Sequence, residues 1–138
     1  MSRECVLIVE DDPIVAGDAE QALEDAGYRV CGIAASEAEA LELGDRFEPT
    51  CAVIDVNLSS GDGRAVANHL WRRWRTGVIF ATAMSHEING LTETGAVACL
   101  PKPYDSNDLP GAVEAARDLV DGRTARRPPG HMIVLSSR

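Results

Sequence analysis

Two hydrophobic rhythms alternate along this chain. Short runs rich in apolar residues, at positions 5–9, 28–34, 51–54, 78–81 and 97–100, are too short for helices and read as strands. Between them the apolar positions fall three and four apart. Ile14, Val15, Ala19, Ala22, Leu23 and Ala26 form a helical stripe behind Pro13, with Asp12 as N-cap and Gly27 as the stop. Ser36 and Glu39 make a capping box for a second helix over about 37–45. Val66, Leu70 and Trp74 mark a third, and Leu109, Val113, Ala116 and Val120 mark the last, over about 106–120, with Gly122 ending it. Residues 83–95 break the rhythm. Asn89, Gly90, Thr92 and Thr94 are poor helix residues, and a short or irregular helix is expected there.

The run at 51–54 is apolar throughout, which predicts a strand buried on both faces. In the second run Val30 alternates with polar or small neighbours, which predicts an edge strand. Strands alternating with helices in this way predict an α/β domain on a parallel sheet, covering residues 1–122. The remainder, 123–138, is a basic tail with four arginines and no acid, and Pro128-Pro129-Gly130 argues against helix in it. A disordered end is its expected state; the alternative is that residues 131–135 pair with an exposed sheet edge of their own chain or another.

Charge and composition narrow the function. A net charge of −9 opposes nonspecific nucleic-acid binding, which needs a basic surface. No apolar run has the length to span a bilayer, and the first is too short for a signal peptide, with acids directly behind it. A cytoplasmic protein with neither nucleic acid nor membrane as partner is expected. Cys5, Cys31, Cys51 and Cys99 form no CxxC pair and each lies in or beside an apolar run, so they read as small buried hydrophobes. Trp71 and Trp74 are expected to cover the sheet. His69 and His131 show no partner in the sequence, and His86 reads as a solvated loop residue.

Four of the five strands end in a polar residue that is odd for a core. These are Glu10-Asp11, Asp55, Thr82 and Lys102. A parallel sheet puts those ends on one edge, where an open α/β sheet has its ligand crevice. Acids gathered there repel one another, and a hard divalent cation such as Mg²⁺ is their natural partner. A carboxylate can also act as nucleophile toward a phosphoryl group. The metal and a lysine would then offset the phosphoryl charge, and a hydroxyl would take one hydrogen bond. Asp55, Asp11, Lys102 and Thr82 fit those roles. Lys102 is the only lysine in the chain, and a compact ammonium is not interchangeable with a guanidinium.

These motifs resemble the receiver domain of two-component response regulators. The likeness covers residues 4–121 and rests on VLIVEDDP at 6–13, VIDVNL at 53–58 with Gly63 eight residues after Asp55, FATA at 80–83 and PKPY at 101–104. The resemblance implies a flavodoxin-like three-layer sandwich, with a five-stranded parallel sheet ordered 2-1-3-4-5 and helices on both faces. It implies that Asp55 takes a phosphoryl group from a histidine kinase or phosphotransfer protein, and that the domain catalyses its own phosphorylation and dephosphorylation. Asp11 and Asp55 would bind Mg²⁺ directly, Glu10 through water, and Asn57 by its backbone carbonyl. Thr82 would swing toward the phosphoryl group, Lys102 would pair with it, and the Lys102–Pro103 bond would be cis. With no second domain expected after Val120, the signal would pass to an unknown downstream protein, and a homodimer is a further expectation from the family.

The chain departs from the family at Cys99, where an aromatic residue usually reports phosphorylation. The sequence around Phe80–Thr82 is partly similar to stand-alone receivers with a phenylalanine-alanine-threonine motif and an atypical fourth helix, although Ala83-Met84 replaces their glycine-aromatic pair. That likeness implies output by reordering of residues 83–95. Ala83 would leave the phosphoryl group reachable, and Met84 offers no group to orient a water, so slow self-dephosphorylation is expected. The alternatives are a pseudo-receiver that binds without phosphorylation, a phosphate sink in a phosphorelay, and a flavodoxin-like cofactor binder. The last would need a Ser-, Thr- and Gly-rich loop after the first strand, where this chain has Glu10-Asp11-Asp12-Pro13.

Overall fold

Alternation along each strand sends side chains to two separate core layers. In β1 (Val6–Val9), Val6 and Ile8 join one layer, Leu7 and Val9 the other. The same parity holds in β3 (Cys51–Asp55), β4 (Gly77–Thr82) and β5 (Ala98–Pro101): Cys51, Val53, Ile79, Ala98 and Leu100 face one way, and Ala52, Ile54, Val78, Phe80 and Cys99 the other. Both layers are closed by helices. α1 (Pro13–Asp25) and α4 (Leu109–Val120) cover the first; α2 (Glu37–Phe47) and α3 (Gly63–Trp74) cover the second. This computed structural model describes residues 4–82, 94–125, 128–130 and 132–135.

The sheet runs β2-β1-β3-β4-β5-β6, where β2 is Val30–Ala34 and β6 is Ile133–Val134. The first five strands are parallel and follow the flavodoxin-like order expected for the family. β2 is the edge strand its alternation predicts, and its register against β1 skips Cys31. The cysteines are free; Cys5, Cys51 and Cys99 are buried and Cys31 is half-buried. No helix among the described residues is long and apolar enough to cross a membrane.

Local chemistry sets the helix ends. Asp12 Oδ1 accepts from the amides of Ile14 at 2.9 Å and Val15 at 3.4 Å, which starts α1 at Pro13. Ser36 Oγ accepts from the Glu39 amide at 3.2 Å, while Glu39 reaches back one residue farther than in the usual box, to the Ala35 amide at 3.0 Å. α2 runs on to Phe47, past the predicted end, because the left-handed turn comes only at Glu48. The final helix starts later than predicted, since Ser106–Asp108 form a 3₁₀ turn ahead of Leu109.

For the tail the edge-pairing alternative is the one seen, and two other expectations are corrected. Part of the tail is ordered against the sheet: β6 pairs antiparallel with β5, Ile133 opposite Cys99 and Val134 opposite Ala98. Trp74 does pack on the core layer under α2 and α3, but Trp71 lies over Gly95, whose positive φ of 86° and bare Cα admit the indole. His69 has a partner, Asp45, which also accepts from Trp74 Nε1 at 3.2 Å and faces Arg73 Nε at 3.5 Å. This carboxylate fastens α2 to the end of α3. The expected irregular helix falls outside the described residues except for Thr94 and Gly95, as do Ala83, Met84, His86 and His131.

Gly63, the first residue of α3, sits against the backbone carbonyl of Asp55, and a Cβ there would collide with it. Gly63→Ala is therefore expected to lower stability by about 1–3 kcal/mol, read by urea denaturation. The hydrogen bond with His69 holds the Asp45 carboxyl below its ordinary range, helped by Trp74. A depressed acid contributes stability above its unfolded pKa and loses it as pH falls through the folded value. Asp45→Asn is expected to cost about 0.5 kcal/mol near neutrality, the site being exposed, with the difference vanishing in acid below both pKa values. Thermal melts across pH check this.

Candidate functional site

The carboxyl ends of β1 and β3 are neighbours in register, with Val9 opposite Ile54, so Glu10 and Asp55 stand side by side just above the sheet. Asp11 follows Glu10 in the turn into α1. One carboxylate oxygen from each of Glu10, Asp11 and Asp55 lies within 4.8 Å of the others. Glu10 and Asp55 are buried, at 6% and 8% exposure, while Asp11 is half-buried. Burial of two acids in such a cluster demands a counter-charge.

Lys102 supplies it from the far side of the crevice. Its Nζ donates to Glu10 Oε1 at 3.1 Å and to Asp55 Oδ2 at 3.4 Å. The lysine is aimed by its backbone, whose amide donates to the Thr82 carbonyl at 2.7 Å, and the Lys102–Pro103 bond is cis as the resemblance implied. Burial works against the ammonium, but the hydrogen bond to Glu10 and the charge of Asp55 outweigh it, and its pKa is raised. Burial pushes the Glu10 carboxyl up, only partly offset by the Asp12 amide and Lys102. The Asp12 amide donates to Glu10 Oε2 at 3.1 Å. The other oxygen of Asp55, Oδ1, accepts from the backbone amide of Asn57 at 3.0 Å.

Thr82 is the last residue of β4 and is buried at 2% exposure, at the same end of the sheet. Asn57 is exposed in the loop after β3. Cys99 lies one strand inward from solvent, flanked by Phe80 of β4 and Ile133 of β6. Ile133 and Leu135 pack into the same core layer as Cys99, so the place of the family's aromatic reporter is closed over by the tail. Burial pushes the Cys99 thiol up to about 11. Ala83 lies outside the described residues.

Ser59 was not legible as a site residue. Its amide donates to Asp11 Oδ2 at 2.7 Å and its hydroxyl makes a second, short hydrogen bond to the same oxygen. The hydroxyl bond, then the amide bond, hold the Asp11 carboxyl below its usual range. The sequence marks Ser59 only as loop, because the partner is 48 residues away. Beside the acids, Val15, Asp18, Lys102, Pro103, Tyr104 and Ser106 line a cleft of about 420 Å³. Ile14, at the start of α1, is 74% exposed.

The chain is similar to known proteins. The family model described as the response regulator receiver domain matches residues 6–114. The transcriptional regulatory protein PdtaR of Mycobacterium tuberculosis is 31% identical over 135 residues, which is 96% of this chain and 65% of that protein. The phyllosphere-induced regulator PhyR of Methylorubrum extorquens is 27% identical over 128 residues, 91% of this chain and 47% of its own length. The chain thus spans less than two thirds of these curated relatives. Among solved structures, a CheY-like response regulator receiver domain protein from Methanospirillum hungatei superposes with a TM-score of 0.78 at 28% identity, covering 87% of this chain and 98% of that one. The family match runs through all five parallel strands and the residues gathered at their ends, and the chain belongs to the response regulator receiver domains.

Proposed function

We propose that Asp55 accepts a phosphoryl group from a histidine kinase or histidine phosphotransfer protein in a Mg²⁺-dependent reaction, and that the domain then signals by contact with another protein. The observation that carries this reading is the convergence of Glu10, Asp11 and Asp55 within 4.8 Å, beside Lys102. The donor set is all oxygen and its three acids exceed the one lysine, which suits a hard divalent cation. Asp11, Asp55 and the carbonyl of Asn57 would hold the ion directly, with Glu10 acting through water. Bound Mg²⁺ supplies positive charge that offsets the phosphoryl oxygens.

The chain's own groups do the rest. A carboxylate oxygen of Asp55 attacks phosphorus, forming a P–O bond as the P–N bond to the donor imidazole breaks. The imidazole leaves with the electron pair and takes up a proton. The Asn57 amide orients the carboxylate throughout. Lys102 then pairs with a phosphoryl oxygen, and the Thr82 hydroxyl donates one hydrogen bond. Ala83, small and next in sequence, leaves the group reachable. Exposed Ile14 and the cleft by Val15 and Tyr104 offer the phosphodonor an apolar landing next to Asp55. With Cys99 in the reporter position, output runs through residues 83–95, the β5 edge and α4.

Incubation with acetyl phosphate and Mg²⁺ is expected to add one phosphoryl group by intact mass, absent with Asp55→Ala or with a chelator. A gain that survives Asp55→Ala would overturn the assignment. Asp11→Asn is expected to weaken Mg²⁺ binding at least tenfold, about 1.4 kcal/mol, because it removes a charged ligand. Ser59→Ala is expected to strengthen binding about fivefold, since it frees Asp11 from a competing hydrogen bond worth about 1 kcal/mol. Calorimetric titration reads both.

A further inference from the structure

β6 is two residues long, yet with its flanks it closes the outer edge of β5 so well that Ala96, Val97, Ala98, Cys99 and Leu100 are all fully buried. Beyond the paired residues Ile133 and Val134, the Leu135 amide donates to the Val97 carbonyl at 2.9 Å. Side chains alternate across the sheet edge. Ile133 and Leu135 pack on the layer that holds Cys99 and Phe80, Met132 packs on the opposite layer, and Val134 is 47% exposed. The segment therefore reads the edge as a strand-shaped site: antiparallel backbone, with apolar side chains two residues apart on each face.

Its attachment is light for the edge it covers. The pairing is only two residues long, and the segment returns from the end of α4 through Pro128-Pro129-Gly130, with the Met132 amide donating to the Pro129 carbonyl at 3.0 Å. Without it, β5 would present a row of unpaired backbone groups, the feature that draws another chain. The molecule that carries a matching strand is a second copy. The strand itself, Met132 to Leu135, carries no charge, so it can dock on a second copy although two chains of net charge −9 repel overall. We propose that the outer edge of β5 is a strand-binding site for residues 132–135, occupied in cis by the chain's own segment and in trans by that of a second copy, giving a strand-exchanged dimer.

The test uses the full chain. Ile133→Asp together with Leu135→Asp bares the edge without shortening the protein. Leu135→Pro is the second variant, since it removes the amide that bonds Val97 while leaving Ile133 in place. A fluorescent peptide of residues 128–135 is titrated into each and followed by anisotropy, with thermal unfolding reporting the fold. Saturable binding to the variants is expected. Binding to the wild type should be at least about a hundredfold weaker, because its tethered copy competes at an effective concentration on the order of millimolar. Sedimentation equilibrium is expected to show a dimer of the wild type that grows with concentration and is absent in the double variant. A folded variant that does not bind the peptide would overturn the proposal. So would loss of cooperative unfolding in both variants, which would make the segment part of the core. A wild type that stays monomeric at every concentration would overturn the exchange between copies.

Discussion

Three carboxylates forced together at one edge of a sheet are the constraint around which this domain is arranged. Glu10 and Asp55 are brought level by the register of β1 on β3, and Asp11 follows into the turn. Two like charges about 5 Å apart repel by roughly 3 kcal/mol at the effective dielectric of a protein site. Lys102, delivered from the end of β5, relieves part of that repulsion and leaves the crevice with an excess of acid. The glycine at position 63 belongs to the same arrangement, because it lets the start of α3 press against the Asp55 carbonyl.

β5 joins this site to the sheet edge. Lys102 follows its last residue, Cys99 lies within it, and the C-terminal segment pairs along its outer side. Small Cys99 and the overlying Ile133 and Leu135 occupy one apolar layer. The consequence is a receiver in which Cys99 is buried under the chain's own tail, and Lys102 leaves the end of the same strand whose outer side the tail covers.

Much of the frame was legible along the chain. Strand ends at Glu10, Asp55, Thr82 and Lys102 stand out because a polar residue closes an apolar run, and a parallel sheet must gather such ends. Helix starts at Asp12 and Ser36 are local hydrogen-bond chemistry within a few residues. The edge position of β2 followed from its broken apolar pattern. These features depend on neighbours in sequence or on the period of the backbone, which is why a single sequence carries them.

What escaped were contacts between distant residues whose types admit several partners. Ser59 on Asp11, His69 with Trp74 on Asp45, and Trp71 over Gly95 each require two elements to be docked before the pair exists. The return of Ile133 to β5 is of the same kind: its apolar run shows that it can pair, but the open edge that receives it is made only when five strands have assembled. The sequence by itself determined the α/β order, the caps and the charged residues of the crevice, since these are written in local pattern. Tertiary structure alone decided how Asp11 is held, which side chains tie α2 to α3, and what covers the last parallel strand, because those energies arise between surfaces that come together only on folding.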